Sequence, residues 1–130
     1  MQREMQINKT KIAELRKEYG DAFYLLDSGQ FRNNFIELKD TFRKIYPNFN
    51  IAYSYKTNYT PKFCKMVNEL GGYAEVVSEM ELEIALRVGV ESKRIIWNGP
   101  IKNAKKLEEF LVAGGTDNID SVEELAVVKA

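Results

Sequence analysis

From residue 50 onward, apolar positions switch regularly between a short continuous spacing and a helical one. Ile51 to Tyr55 reads as a strand. Thr60-Pro61 then opens a stretch with Phe63, Val67 and Leu70 on one helical face. Thr60 suits an N-cap and Pro61 the first helical position, where a missing N–H costs nothing. Gly71-Gly72 stops that helix. Tyr73 to Val77 is the next strand, and Ser78-Glu79-Met80-Glu81 is a capping box leading into Leu82, Ala85 and Leu86, closed by Gly89. Arg94 to Trp97 is a third strand. Asn103 opens a helix with Leu107, Phe110 and Leu111, closed by Gly114-Gly115. Thr116 to Ile119 is a fourth strand, and Ser121-Val122-Glu123-Glu124 is a second capping box. The strand starts recur about every 22 residues, which predicts a tandem strand–helix repeat and an α/β fold with a parallel sheet.

Before residue 50 the pattern is less regular. Residues 10–18 read as a helix stopped by Gly20, and Ala22 to Leu26 as a short apolar strand closed by Asp27-Ser28-Gly29. Over residues 30–45, Phe31, Phe35, Leu38, Phe42 and Ile45 form one helical stripe, ended by Pro47. Two closures fit this order. A doubly wound five-stranded sheet fits the length. A (β/α)8 barrel takes roughly 200–250 residues, so the chain would be its amino-terminal half. Length favours the doubly wound sheet. The end at Val127-Val128-Lys129-Ala130, inside a helix pattern and without a cap, favours a truncated barrel.

Composition narrows the chemistry. The chain has 130 residues, the size of one domain. Lys+Arg and Asp+Glu are both 19, so the basic excess of a nucleic-acid-binding protein is missing. No apolar run approaches the ~18 residues of a membrane span. Met1 to Gln6 lacks the apolar stretch of a signal peptide, and the expectation is a cytoplasmic protein. One cysteine, Cys64, and no histidine exclude a disulfide scaffold, histidine-based triads and histidine metal ligands, and no metal is expected. Catalysis would rest on Lys, Asp, Glu, Tyr, Ser or a cofactor.

Lys56 stands out. Ala52, Ser54 and Lys56 share one face of the first regular strand, with the lysine at its carboxyl end, where parallel α/β folds bind ligands. It reads either as a Schiff-base lysine or as an exposed loop lysine. Glu75, mid-strand among Ala74, Val76 and Val77, reads either as a counter-charge near Lys56 or as an edge-strand salt bridge. The glycine pairs follow helices rather than strands, so they read as helix stops and not as phosphate loops. Asn98-Gly99-Pro100 follows a strand and reads as a turn. Cys64, beside Phe63 and near Met66 and Val67, reads as a buried structural cysteine. Glu79, Glu81, Glu83, Glu108 and Glu109 read as solvated charge on helix first turns or exposed faces.

Several segments in order resemble one family. Tyr53-Ser54-Tyr55-Lys56-Thr57-Asn58 is similar to the Tyr-Ala-x-Lys-x-Asn motif of the barrel-type (fold type III) pyridoxal-phosphate decarboxylases, which act on diaminopimelate, ornithine, arginine or carboxynorspermidine. Gly72 to Ser78 followed by Glu81-Leu82 resembles that family's Gly-x-x-Asp-Val-x-Ser-x-x-Glu-Leu segment, with Glu75 where Asp is usual. Ala85 to Val90, Arg94 to Ile96, Asn98-Gly99-Pro100-x-Lys102 and Asp120-Ser121-x-x-Glu124-Leu125 continue the likeness, and Phe23 to Phe35 fits its opening. The resemblance implies an alanine racemase-like half-barrel. Residues 1–130 would be an incomplete pyridoxal-phosphate-binding domain without its carboxy-terminal β-domain.

What the resemblance further implies is a cofactor, pyridoxal 5'-phosphate, bound covalently by Lys56, with Glu75, Asn58 and Ser78 joining it in the cofactor site. The implied reaction is decarboxylation of a basic or diamino amino acid, with diaminopimelate first and ornithine, lysine, arginine or carboxynorspermidine next. A homodimer is implied for the complete protein, and inactivity for this piece alone. The alternatives are a non-decarboxylating pyridoxal-phosphate barrel, either a racemase or a cofactor carrier, and a small doubly wound signalling domain.

Overall fold

A computed structural model of the chain describes residues 7–129. Met1 to Gln6, read above for the lack of a leader, and the terminal Ala130 lie outside the described residues. Two helices come first, α1 (Lys9–Tyr19) and α2 (Ser28–Arg43). Then strands and helices alternate: β1 (Ala52–Ser54), α3 (Pro61–Glu69), β2 (Tyr73–Val76), α4 (Glu79–Arg87), β3 (Ile95–Asn98), α5 (Ala104–Val112), β4 (Thr116–Asn118) and α6 (Val122–Lys129). A 3-10 turn, Ser92–Arg94, leads into β3.

All four strands are parallel, and their order across the sheet is β1-β2-β3-β4. Each strand therefore lies beside its predecessor with no reversal. A doubly wound sheet must reverse its order at a switch point. The sequential order is that of one arc of a barrel, and the doubly wound alternative falls.

The sheet has two unlike faces, set by the two-residue period. Along β2 burial alternates, with Ala74 and Val76 buried and Tyr73 and Glu75 half-buried. Ala74, Val76, Ile95 and Trp97 join Tyr55, Cys64, Leu82, Ala85, Leu107 and Phe110 in one core beneath the helices. Trp97 is fully buried, and its ring meets Phe110 edge-on at 5.5 Å, a favoured aromatic geometry. Register places Ser54 beside Glu75, and Glu75 beside Ile96, on the opposite face. That face would line the inside of a barrel.

Four local expectations are corrected. Ala22 to Leu26 is not a strand: it pairs with no strand among the described residues, and Tyr24 is 98% exposed. Apolar composition marks a segment that can pair but does not supply the partner. Asp27, read as closing that strand, is the N-cap of α2 and accepts from the Gln30 amide at 2.8 Å. The α2 stripe is only partly covered: Phe35 is buried, whereas Leu38 and Phe42 are exposed and Ile45 falls beyond the helix. Thr60 and Pro61 take the positions expected of them, yet the Thr60 hydroxyl makes no cap bond.

Candidate functional site

Strand β1 ends at Ser54, and the next backbone bond, Tyr55 N to Glu75 O at 2.9 Å, still follows the ladder to β2. The chain then turns: Thr57 N and Oγ1 both donate to Ser54 O. Lys56 is therefore carried on this turn, exposed, at the carboxyl end of β1. Among the described residues no carboxylate lies within ion-pair distance of its ammonium. Asn58 stabilises the exit from the turn, its Oδ1 accepting from the Thr60 amide at 3.0 Å just ahead of α3.

Glu75 lies one strand away on the inner face. Its Oε1 accepts from Asn98 Nδ2 at 3.0 Å, so its recorded partner is an amide on β3 rather than Lys56. On the other flank stands Ser54, whose hydroxyl is buried and has no hydrogen-bond partner among the described residues. Ser78, at the head of α4, accepts from the Glu81 amide at 3.3 Å and so serves as a helix cap.

Glu81 departs from the expectation of solvated charge. It is 5% exposed, and its Oε2 accepts from the Val77 amide at 2.7 Å. An ideal capping box returns this bond to the cap residue's own N–H. Here it reaches one residue further back, tying α4 to the end of β2. Glu124 repeats the arrangement two units later, accepting from the Asp120 amide at 2.7 Å while Ser121 caps α6.

Sequence reasoning missed a buried charge cluster at the same end of the sheet. Lys102 Nζ lies 2.7 Å from Asp117 Oδ1, donates to Glu124 Oε1 at 2.5 Å and donates to Asn118 O at 2.9 Å. The Lys102 and Asp117 side chains are 2% and 4% exposed. Burial alone would lower the Lys102 pKa, but the contacts with Asp117 and Glu124 outweigh it and hold that pKa above the ordinary lysine value. Glu124 is shifted the other way: burial acts to raise its pKa, and the bonds from Lys102 and the Asp120 amide prevail and lower it. The signal available in the sequence was a lysine after β3, an acid within β4 and an acid in the first turn of α6.

On the helix side, Cys64 is fully buried, as expected. Burial pushes its thiol up, and pushes the neighbouring Tyr55 phenol well above its ordinary range. Neither group is poised as a nucleophile near neutral pH.

These groups make the carboxyl end of the sheet suitable for an aldehyde cofactor. An accessible amine stands at the end of one strand, and a carboxylate with an oxygen beyond its Asn98 bond faces the same side from the next. Pyridoxal 5'-phosphate, bound as a carbonyl to an amine, fits that donor set, with Lys56 and Glu75 as the residues that would hold it.

Comparison with known proteins shows the family. Residues 32–130 match the family described as pyridoxal-dependent decarboxylase, pyridoxal binding domain. The diaminopimelate decarboxylase of Aquifex aeolicus is 31% identical, over 96% of this chain and 29% of that protein. A chloroplastic ornithine decarboxylase of Nicotiana glauca is 30% identical, over 70% of this chain and 20% of that protein. Among solved structures, the diaminopimelate decarboxylase of Methanocaldococcus jannaschii in complex with L-lysine superposes with a TM-score of 0.81 at 30% identity, covering 90% of this chain and 28% of that one. The chain thus spans less than a third of the length of the relatives it matches. Its four strand–helix units correspond to the amino-terminal part of their barrel domain. With three quarters of its residues under that family's pattern, the chain belongs to the pyridoxal-dependent decarboxylases and corresponds to part of their pyridoxal binding domain.

Proposed function

We propose that this chain carries the cofactor-binding lysine of a pyridoxal 5'-phosphate-dependent decarboxylase acting on a basic or diamino amino acid, diaminopimelate foremost. The observation that carries the reading is an accessible, unpaired Lys56 on the turn at the carboxyl end of β1 among the described residues, in a chain of this family. Residues 1–130 would be one part of a barrel that the complete protein closes and joins to a β-domain. That complete protein would be a cytoplasmic homodimer. Among the described residues no helix is long and apolar enough to cross a membrane.

When bound, the cofactor supplies an electron sink for the bond between the α-carbon and the departing carboxylate. The residues here supply attachment and electrostatics. Lys56 would hold the cofactor through its amine, at the cofactor's carbonyl carbon. Glu75, held by the Asn98 amide, would present its carboxylate to the cofactor from the inner face of the neighbouring strand. Asn58 fixes the turn that carries Lys56, and the Ser78 cap fixes the start of α4 at the end of β2.

The test is a carbon dioxide release assay on the complete protein with diaminopimelate, ornithine, lysine, arginine and carboxynorspermidine. Release from one of these, abolished in Lys56→Ala, is the expected result. Loss of optical activity without carbon dioxide would identify a racemase instead. Retained turnover in Lys56→Ala would remove the lysine from the mechanism.

A further inference from the structure

We infer that Asn98 is a positioning residue for Glu75, held in place by a loop that the rest of the molecule locks from both ends. Its side-chain amide is the recorded hydrogen-bond partner of the Glu75 carboxylate, at 3.0 Å across neighbouring strands. Asn98 is the last residue of β3, and the loop that follows cannot drift. At Gly99, a Cβ would overlap the carbonyl oxygen of Val77, so the loop backbone lies directly on the connection that leaves β2. Three residues later, Lys102 anchors the loop's far end through Asp117, Glu124 and the Asn118 carbonyl.

The consequence is mechanical. A glutamate on a half-open face has three rotatable bonds and would sample several rotamers. A fixed amide donor on one oxygen selects among them. The other oxygen stays available on the side of the sheet that ends in Lys56. The sequence Asn98-Gly99-x-x-Lys102 then has three separate duties: Asn98 donates, Gly99 allows the close approach, and Lys102 anchors. This inference rests on the reading of Lys56 and Glu75 given under the proposed function.

The test is a double-mutant cycle on the complete holoprotein, read as the dissociation constant of pyridoxal 5'-phosphate from its visible absorbance. Asn98→Leu removes the donor at similar volume and should weaken cofactor binding about tenfold, the range of a hydrogen bond to a charged group. In a Glu75→Ala background the same change should cost less than about twofold, because nothing is left to position. Asn98→Asp keeps the shape, sets a like charge beside Glu75 and should weaken binding at least as much as Asn98→Leu. The melting temperature of the apoprotein should change little in Asn98→Asp. Equal losses in both backgrounds, or unchanged affinity in both Asn98 variants, would overturn the inference. Borohydride reduction of the unsubstituted protein forms a separate arm. A pyridoxyl group missing from Lys56 would overturn the underlying reading and this inference with it. The group present on Lys56 with equal losses in the cycle would overturn the inference alone.

Discussion

Lys102 and Asp117, fifteen residues apart in the chain, meet at 2.7 Å with both side chains almost wholly out of water. Glu124 completes the cluster at 2.5 Å. Two carboxylates share one ammonium here, so removal of the lysine would leave two buried negative charges facing each other. Breaking a buried pair in this way typically costs 3–5 kcal/mol. Lys102→Met is therefore expected to lower the stability of the complete protein by about that amount. Urea unfolding followed by far-ultraviolet circular dichroism would measure it. A loss below about 1 kcal/mol would show the cluster to be energetically idle.

The same cluster sets a pH window. The folded-state pKa of Glu124 is depressed, so its contribution is present above the unfolded carboxylate value, about 4.3, and is lost as pH falls through the lower folded value. That of Lys102 is raised, so its contribution is complete below about 10.4 and is lost as pH rises through the higher folded value. The stabilisation should be flat between these limits. Lys102→Met should remove most of the fall at both ends when unfolding midpoints are measured against pH. Identical profiles for both proteins would assign that fall to other groups.

Glu81 gives a prediction about the α4 cap. Its buried carboxylate accepts from the Val77 amide at 2.7 Å, and nothing else bonds that amide among the described residues. Glu81→Ala should cost about 1–3 kcal/mol, the penalty for a buried donor left without a partner. Ser78→Ala should cost about 1 kcal/mol. Unfolding midpoints of the two variants would establish the order, and a larger loss for Ser78→Ala would contradict it.

Much of this was legible in the sequence, and the limits of legibility have physical causes. The repeat of strands and helices from residue 51 could be read because each element marks itself locally: a Ser cap, a glycine stop, an apolar stripe. The place of Lys56 near the carboxyl end of β1 was legible, but counting by two did not show that the strand ends at Ser54 and that a turn carries the lysine. Ala22 to Leu26 was misread because a strand is defined by its neighbour, and local composition carries no information about that neighbour. Glu81 was misread for a related reason. Its position in the first turn was right, but its burial depends on how α4 is seated against β2. The Lys102 cluster joins residues 15 and 22 positions apart, a relationship that only the parallel register of β3 and β4 creates.

The open inner face predicts behaviour in solution. Among the described residues nothing pairs with the outer edges of β1 and β4. Ile45, Ile101, Val112 and Val122 are all more than two-thirds exposed. Unpaired parallel edges beside exposed apolar side chains favour association. The 130-residue chain on its own should elute from size-exclusion chromatography as oligomers or aggregate and should release no carbon dioxide from any of the five amino acids. A clean monomer with turnover would show that residues 1–130 suffice.

The central claim is that Lys56 attaches the cofactor, and one measurement addresses it directly. The complete protein, loaded with pyridoxal 5'-phosphate, is reduced with borohydride, digested and mapped by mass spectrometry. The account predicts a pyridoxyl group on Lys56. A group on Lys62, Lys65 or Lys102 instead, with Lys56 unmodified, would contradict it.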